Sequence, residues 1–319
     1  MPDPSTPAGP GAPAEGFPYA ISERFLILVN PRASAAGGGA TLRRRLAAAF
    51  ASHGVPFDIL EVSRSEGLRE AARRAADAGF RAVVAVGGDG TVAQTLRGTA
   101  GTGVPVAILP FGTGNQLAAN FGIPASLEGS VRTAVEGVRE AIDLGRVNGQ
   151  HFALIAGAGL DADVMADATT QLKNRFGFAA YLVSGLKNVI TPRAADFRIV
   201  ADDRELEIRA SMVLVANVGH IVAAGLPMDF KVAPRSSFKD GLLDVCVYAP
   251  RNLPEVANML WRVARERYAG NERMLFLQAR SVQVESDPPL AAQVDGEPFG
   301  ETPLVADVDP LAGTILVPK

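Results

Sequence analysis

From Arg24 onward, short β-branched runs alternate with longer segments rich in Ala, Arg and Leu: RFLILVN, TLRRRLAAAFASHG, FDILEV, SEGLREAARRAADAG and RAVVAVGG, followed by VPVAILP. Few architectures accommodate that alternation. Parallel strands need a crossover of a dozen or more residues between them, which a helix supplies. Helices on both faces of the sheet then remove the polar half of each strand's alternation. The pattern predicts an α/β, doubly wound N-terminal domain, with NQLAANFG and SLEGSVRTAVEGVRE as further helices.

After about Asp143 the texture changes. FRIVADDRELEIRA places Asp202-Asp203 between two alternating runs, as in a hairpin. LLDVCVYAP, MLFLQARSVQVES and PLAAQVDGEPF continue in the same style, interrupted by helical stretches around Gln171 to Val189 and Asn252 to Tyr268. The second half reads as a mainly antiparallel β-sandwich. At 319 residues two domains are expected: 21–143 as an α/β nucleotide-binding domain and 144–305 as a β-rich domain. The C-terminal segment, about 306–319, is a candidate for returning to the first domain. Residues 1–20, rich in Pro, Ala and Gly, read as a disordered tail with neither the basic start nor the apolar core of a signal peptide.

The net charge of −3 gives no general pull toward nucleic acid or anionic lipid, so any polyanion must be gripped locally. The lone Cys246 sits in an apolar run and reads as a small buried hydrophobe, which fits a reducing, cytoplasmic setting. Ser211 to Met228 is interrupted by Asn217, Gly219, His220, Gly225 and Pro227 and makes a poor membrane span. Three scattered histidines leave zinc few ligands.

Between the strand RAVVAV and a helix from roughly Val92 to Leu96 stand only Gly-Gly-Asp-Gly-Thr. Glycines let backbone N–H groups approach a phosphate, and the helix presents its positive end. Asp89 would be repelled there unless a cation such as magnesium lay between. A tight turn with Asp or Thr capping the helix is the plainer alternative. Two similar turns, NPRASAAGGG and PFGTGN, also follow strands. Carboxyl ends of parallel strands share one rim, so three such loops predict a nucleoside triphosphate site.

NPRAS (30–34), GGDGT (87–91), PFGTGN (110–115), DGLLD (240–244) and VDGE (294–297) together resemble, in order and spacing, the diacylglycerol kinase catalytic family, which includes bacterial soluble lipid kinases and the sphingosine and ceramide kinases. The resemblance implies ATP on Asn30, Pro31, Arg32, Ala33, Ser34, Ser63, Gly88, Asp89, Gly90, Thr91, Val92, Ala93, Gln94 and Thr113. It implies that Asp89 and Asp143 organise a catalytic Mg2+ network. A structural Mg2+ would sit on Asp240 and the backbone carbonyls of Ser237 and Leu242, a segment that by itself reads as a β-turn.

General-base duty falls by resemblance to Glu297, with Asp295 as its partner. If 294–297 is extended, both carboxylates share a face; otherwise the segment is an acidic hairpin turn. Lys173 or Arg175 could add positive charge or simply belong to a charged helix face. The sequence departs from the family pattern at Gln94 and Gln116, where acidic residues are common, and at Ala33-Ser34, for which glycines 37 to 39 could compensate. Ile221 to Met228 could line an acyl groove or form a core strand.

The function so implied is an ATP- and Mg2+-dependent lipid kinase acting on diacylglycerol or a related lipid alcohol, with 144–305 as the lipid-substrate domain. It would be cytoplasmic, transiently membrane-associated, without a transmembrane segment or nucleic-acid partner, and a possible homodimer. The alternatives are an NAD kinase-like enzyme or a catalytically weak nucleotide- or lipid-binding regulator.

Overall fold

The computed structural model describes residues 21–31, 39–159, 194–218, 220–222, 229–231, 233–235, 237–268 and 270–319. The expectations for the 1–20 tail, for Arg32, Ala33, Ser34, Gly37 and Gly38, for the 171–189 helix with Lys173 and Arg175, and for residues 223–228 lie outside the described residues.

Strands β1 (Phe25–Val29), β2 (Phe57–Glu61), β3 (Ala82–Gly87) and β4 (Val106–Pro110) form a parallel sheet in the order β2-β1-β3-β4. Helices α1 (Gly39–Ser52) and α5 (Leu127–Glu136) cover one face, where Phe25, Ile27 and Val29 meet Leu42, Leu46, Phe50 and Val131. On the other face Leu28 and Val83 meet α2 (Ser65–Asp77) through Leu68, Ala71, Ala72 and Ala75, the i, i+3, i+4, i+7 stripe of an amphipathic helix. The alternating residues of β1 thus serve two cores. Phe25 and Phe50, both fully buried with ring centroids 5.8 Å apart, contribute about 1.5–3 kcal/mol each by burial.

α3 (Asp89–Thr99) follows β3, and the short α4 (Gln116–Asn120) follows β4. The stretch 126–140, expected to be helical throughout, is helical only from Leu127 to Glu136; from Val138 it becomes β5 (Val138–Val147), against which the short β6 (Gln150–Phe152) pairs. Gly137 explains the break. Its N–H closes the helix on the Thr133 carbonyl at 2.9 Å, and a Cβ there would lie 2.5 Å from the Val317 carbonyl oxygen.

The second half is built of two packed sheets. β14 (Met274–Ala279), β13 (Leu243–Tyr248), β10 (Met212–Ala216), β7 (Ile155–Ala158), β16 (Ala291–Val294) and β17 (Glu297–Glu301) make one antiparallel sheet. β15 (Ser281–Asp287), β8 (Ala195–Ala201) and β9 (Arg204–Ala210) form part of the other. Asp202 makes the expected β8–β9 turn at φ 50, and its carboxylate accepts from Arg280 and Ser281 N–H. Cys246 is buried in β13, as its apolar surroundings predict.

The long β18 (Leu304–Val317) joins the halves. It pairs antiparallel with β5 over most of its length, with β15 at its start and, parallel, with β4 at its end. A single ten-stranded sheet therefore runs through both halves. One core is shared as well: Leu96, Ile108 and Leu117 pack with Leu154, Leu214, Cys246 and Tyr248. Helix α6 (Leu253–Ala264) lies over the second half on the small hairpin of β11 (His220–Val222) and β12 (Asp229–Lys231).

Candidate active site

Because β1 to β4 are parallel, the segments following them emerge on one rim, and side chains tie three of these segments together. Asn30 follows β1 and donates through Nδ2 to Thr91 Oγ1 at 3.4 Å. Gly88, the N-cap of α3, touches the loop after β4: a Cβ on Gly112 would stand 2.3 Å from Gly88 Cα, so only glycine allows the two loops to close. Asn115, in the left-handed region at φ 48, closes its own loop by accepting from Gly112 N–H at 3.0 Å and donating to the Gly112 carbonyl at 2.7 Å. Thr113 lies in that loop, and Ser63 lies exposed after β2.

The helix after β3 starts at Asp89 rather than near Val92, so the acid forms part of its first turn. Its Oδ1 accepts from Gln116 N–H at 2.6 Å and Leu117 N–H at 3.4 Å, capping α4. Burial pushes the carboxyl up to about 6, and the charge of Asp295 adds to this, while the α4 N–H groups oppose it. Beyond Gly90 the helix turns inward. Thr91, Val92, Ala93 and Gln94 are buried, and Val92 belongs to the shared core, so it offers no side chain to a nucleotide.

The condition that 294–297 be extended is not met. Asp295 and Gly296 form a two-residue turn between β16 and β17 with φ of 51 and 81, as the Asp-Gly dipeptide favours. The two carboxylates therefore part. The Asp295 side chain is 2% exposed and accepts from Ala153, Leu154 and Ile155 N–H at 3.1, 2.8 and 3.2 Å, and from Arg97 Nη2 at 3.1 Å. With four donors on two oxygens, it is an anchor rather than a partner in proton transfer. Glu297, its side chain 42% exposed, faces the nucleotide half: Gln94 Nε2 donates to it at 3.0 Å, Ser65 Oγ at 3.4 Å, and Arg97 Nη1 lies 3.6 Å away.

Arg97, which sequence reasoning did not single out, is the hub of this contact. Its side chain is 5% exposed, and its Nε donates to the His151 carbonyl at 2.7 Å while its remaining nitrogens reach Asp295 and Glu297. Gln94 and Arg97 are three residues apart and share one face of α3, which was the available signal. Glu297 thus meets α3 five residues beyond Asp89, roughly 7.5 Å along the helix axis.

Among the described residues Asp143 makes no hydrogen bond with Asp89. Its Oδ2 accepts from Gly241 N–H at 2.8 Å and its Oδ1 from Leu311 N–H at 2.9 Å, fastening the 237–242 loop and the β18 bulge to β5. In that loop Asp240 Oδ1 accepts from Leu242 N–H at 3.1 Å, and Ser237 Oγ accepts from Lys239 N–H at 3.2 Å. Burial raises the Asp240 carboxyl, with the Asp143 charge adding to it. Burial and the Asp240 charge raise Asp244 to about 7. Neighbouring acids that oppose one another's ionisation fit a cation. Among the described residues no three His, Cys, Asp or Glu side chains converge to hold one, so backbone carbonyls or phosphate oxygens would have to complete its shell.

Residues 24–147 match the family model described as diacylglycerol kinase catalytic domain, and residues 155–317 that described as YegS C-terminal NAD kinase beta sandwich-like domain. A Pseudomonas aeruginosa protein described as "Probable lipid kinase YegS-like" is 34% identical over 256 residues, 78% of this chain and 81% of its own length. A Bacillus subtilis protein named diacylglycerol kinase is 29% identical over 73% of this chain and 76% of its own. An uncharacterized Synechocystis protein is 30% identical over 83% of this chain, which spans 63% of that relative's length. A solved structure of a diacylglycerol kinase from Bacillus anthracis str. Sterne shares the fold, with TM-score 0.69 and 20% identity over 92% of this chain and 97% of that one.

Proposed function

The chain belongs to the diacylglycerol kinase family, a family of phosphotransferases with alcohol acceptors, and from that premise we propose that it transfers the γ-phosphoryl group of ATP to the hydroxyl of diacylglycerol or a related lipid alcohol. The observation that carries this reading is the contact of Glu297 with α3, which sets a solvent-reachable carboxylate beside the helix whose N-terminus closes the rim.

Phosphoryl transfer asks a protein chiefly for alignment and charge compensation. The start of α3, Asn30 and the loop around Thr113 hold the phosphates. Glu297 accepts the proton of the lipid hydroxyl as its oxygen bonds to the γ-phosphorus and the bond to the β,γ-bridging oxygen breaks, releasing ADP. Gln94 and Arg97 fix the Glu297 carboxylate, and Asp295 fixes Arg97. Asp89 together with the triphosphate would hold a catalytic Mg2+, and Asp240 with the carbonyls of Ser237 and Leu242 a structural one. When bound, such an ion would supply charge neutralisation at the phosphate oxygens. Asp143 serves the structural loop in this scheme, holding Gly241.

The lipid is met at a bilayer surface by a peripheral enzyme; among the described residues no helix is long and apolar enough to cross a membrane. Incubating the protein with γ-labelled ATP, Mg2+ and mixed lipid extract should place label on a lipid that comigrates with phosphatidic acid. Labelled NAD with no labelled lipid would instead mark an NAD kinase, and saturable ATP binding without product a regulator.

A further inference from the structure

Resting on the reading of the chain as a lipid kinase, we propose that the exposed face of α6, centred on Trp261, is the surface that docks on an anionic lipid bilayer. Val256 and Met259 of this helix point into the core, and Val263 packs at its margin. Pro254, Ala257, Asn258, Trp261 and Arg265 face solvent, spaced as a single helical stripe. α2 differs: apart from Ser65 at its start, its exposed residues, Glu66, Arg69, Glu70, Arg73, Arg74 and Asp77, are all charged. From Pro254 to Trp261 the stripe itself carries no ionisable residue, and the charge that borders it is the cation of Arg262, whose Nε donates to Asn258 Oδ1 at 3.1 Å.

Trp261, the chain's one tryptophan, is 49% exposed. A single exposed apolar side chain is ordinary, so the argument rests on its surroundings. The guanidinium of Arg267 lies over the indole, 5.3 Å from the ring centroid. Arg265 is exposed one turn beyond Trp261 and makes no ion pair among the described residues. From Arg251 to Arg273 there are five arginines and three glutamates, in a chain of net charge −3. One of those glutamates, Glu255, is already taken up by Arg273 at 3.4 Å and by Arg251 N–H at 2.9 Å. An indole with cationic side chains that can extend past it suits the boundary between acyl chains and anionic headgroups.

The position suits delivery of substrate. α6 packs on β12, which pairs with β11, and β11 packs on α4, the helix capped by Asp89. Tyr268, just past α6, donates to the Lys231 carbonyl at 2.5 Å and ties this flank down. The helix carrying Trp261 is thus linked through β12 and β11 to α4, which directly follows the rim loop 111–115.

The native tryptophan is its own reporter. Its emission should shift to the blue and lose access to acrylamide when vesicles of phosphatidylglycerol and phosphatidylcholine are added, and much less with phosphatidylcholine alone. Trp261→Ala and Arg265→Glu should each weaken cosedimentation with the anionic vesicles by roughly tenfold. Both should phosphorylate a dispersed short-chain diacylglycerol at the parent's rate. Emission indifferent to vesicles, variants that bind as tightly as the parent, equal affinity for neutral vesicles, or a shift driven by protein concentration alone, which marks contact between copies, would each overturn the proposal. A parent that binds vesicles but leaves the short-chain lipid unphosphorylated would instead overturn the kinase reading.

Discussion

Glu297 and Asp295 stand two residues apart, and the turn gives them different work. Glu297→Gln keeps the shape and the bond to Gln94 while removing the proton acceptor, so turnover should fall by about 10²–10⁴ with the denaturant midpoint unchanged. Arg97→Met leaves the Asp295 carboxylate buried with backbone donors alone. It should cost about 3–5 kcal/mol of stability in urea unfolding as well as activity, because one member of a buried ion pair has been removed. Asp89 responds to pH. Its carboxyl ionises near 3.8 in the unfolded chain and near 6 when folded, so the folded state loses relative stability as pH rises between those values. Asp89→Asn, measured without nucleotide or magnesium, should therefore melt above the parent at pH 8, by on the order of 2 kcal/mol, and match it below pH 4. Activity should vanish at every pH. None of the bonds around Arg97 could be read from the sequence, since its partner Asp295 lies 198 residues away.

At the scale of elements, much was legible. The runs RFLILVN and RAVVAVGG became β1 and β3 because residues apolar on both faces can only be covered from both sides. The hairpin at 295–296 was also written in its Asp-Gly dipeptide, but a competing extended reading used the same residues. The end of α5 was not legible: the backbone turns extended at Gly137 to enter β5, and the Val317 carbonyl, 180 residues on, leaves room there only for glycine. The 237–242 loop carries its own prediction. Mg2+ should raise the melting temperature at pH 8 and do so much less at pH 5, where the carboxyl of Asp244, pushed up to about 7, holds a proton that competes with the cation; the upward shift of Asp240 acts in the same direction. Asp240→Asn should abolish the pH 8 increment, and an increment equal at both pH values would dissociate these acids from the ion.

Across the whole molecule, periodicity distinguished an α/β half from an antiparallel half, yet it could not reveal that one sheet passes through both. That continuity depends on β18, whose two edges serve three strands from distant parts of the chain. With a shared core as well, the halves should unfold together, and calorimetry should show one transition rather than two. A piece ending at Asp143 should fail to give a cooperative melt, because β4 and the core residues Leu96 and Leu117 would lose their cover.

The order of synthesis gives β18 a further consequence. It leaves the ribosome after every strand it pairs with, so a nascent chain must carry the open edges of β4 and β15 until the seam is filled. Stalled translation products of this protein would for that reason be natural clients of chaperones, however well their earlier segments had begun to fold.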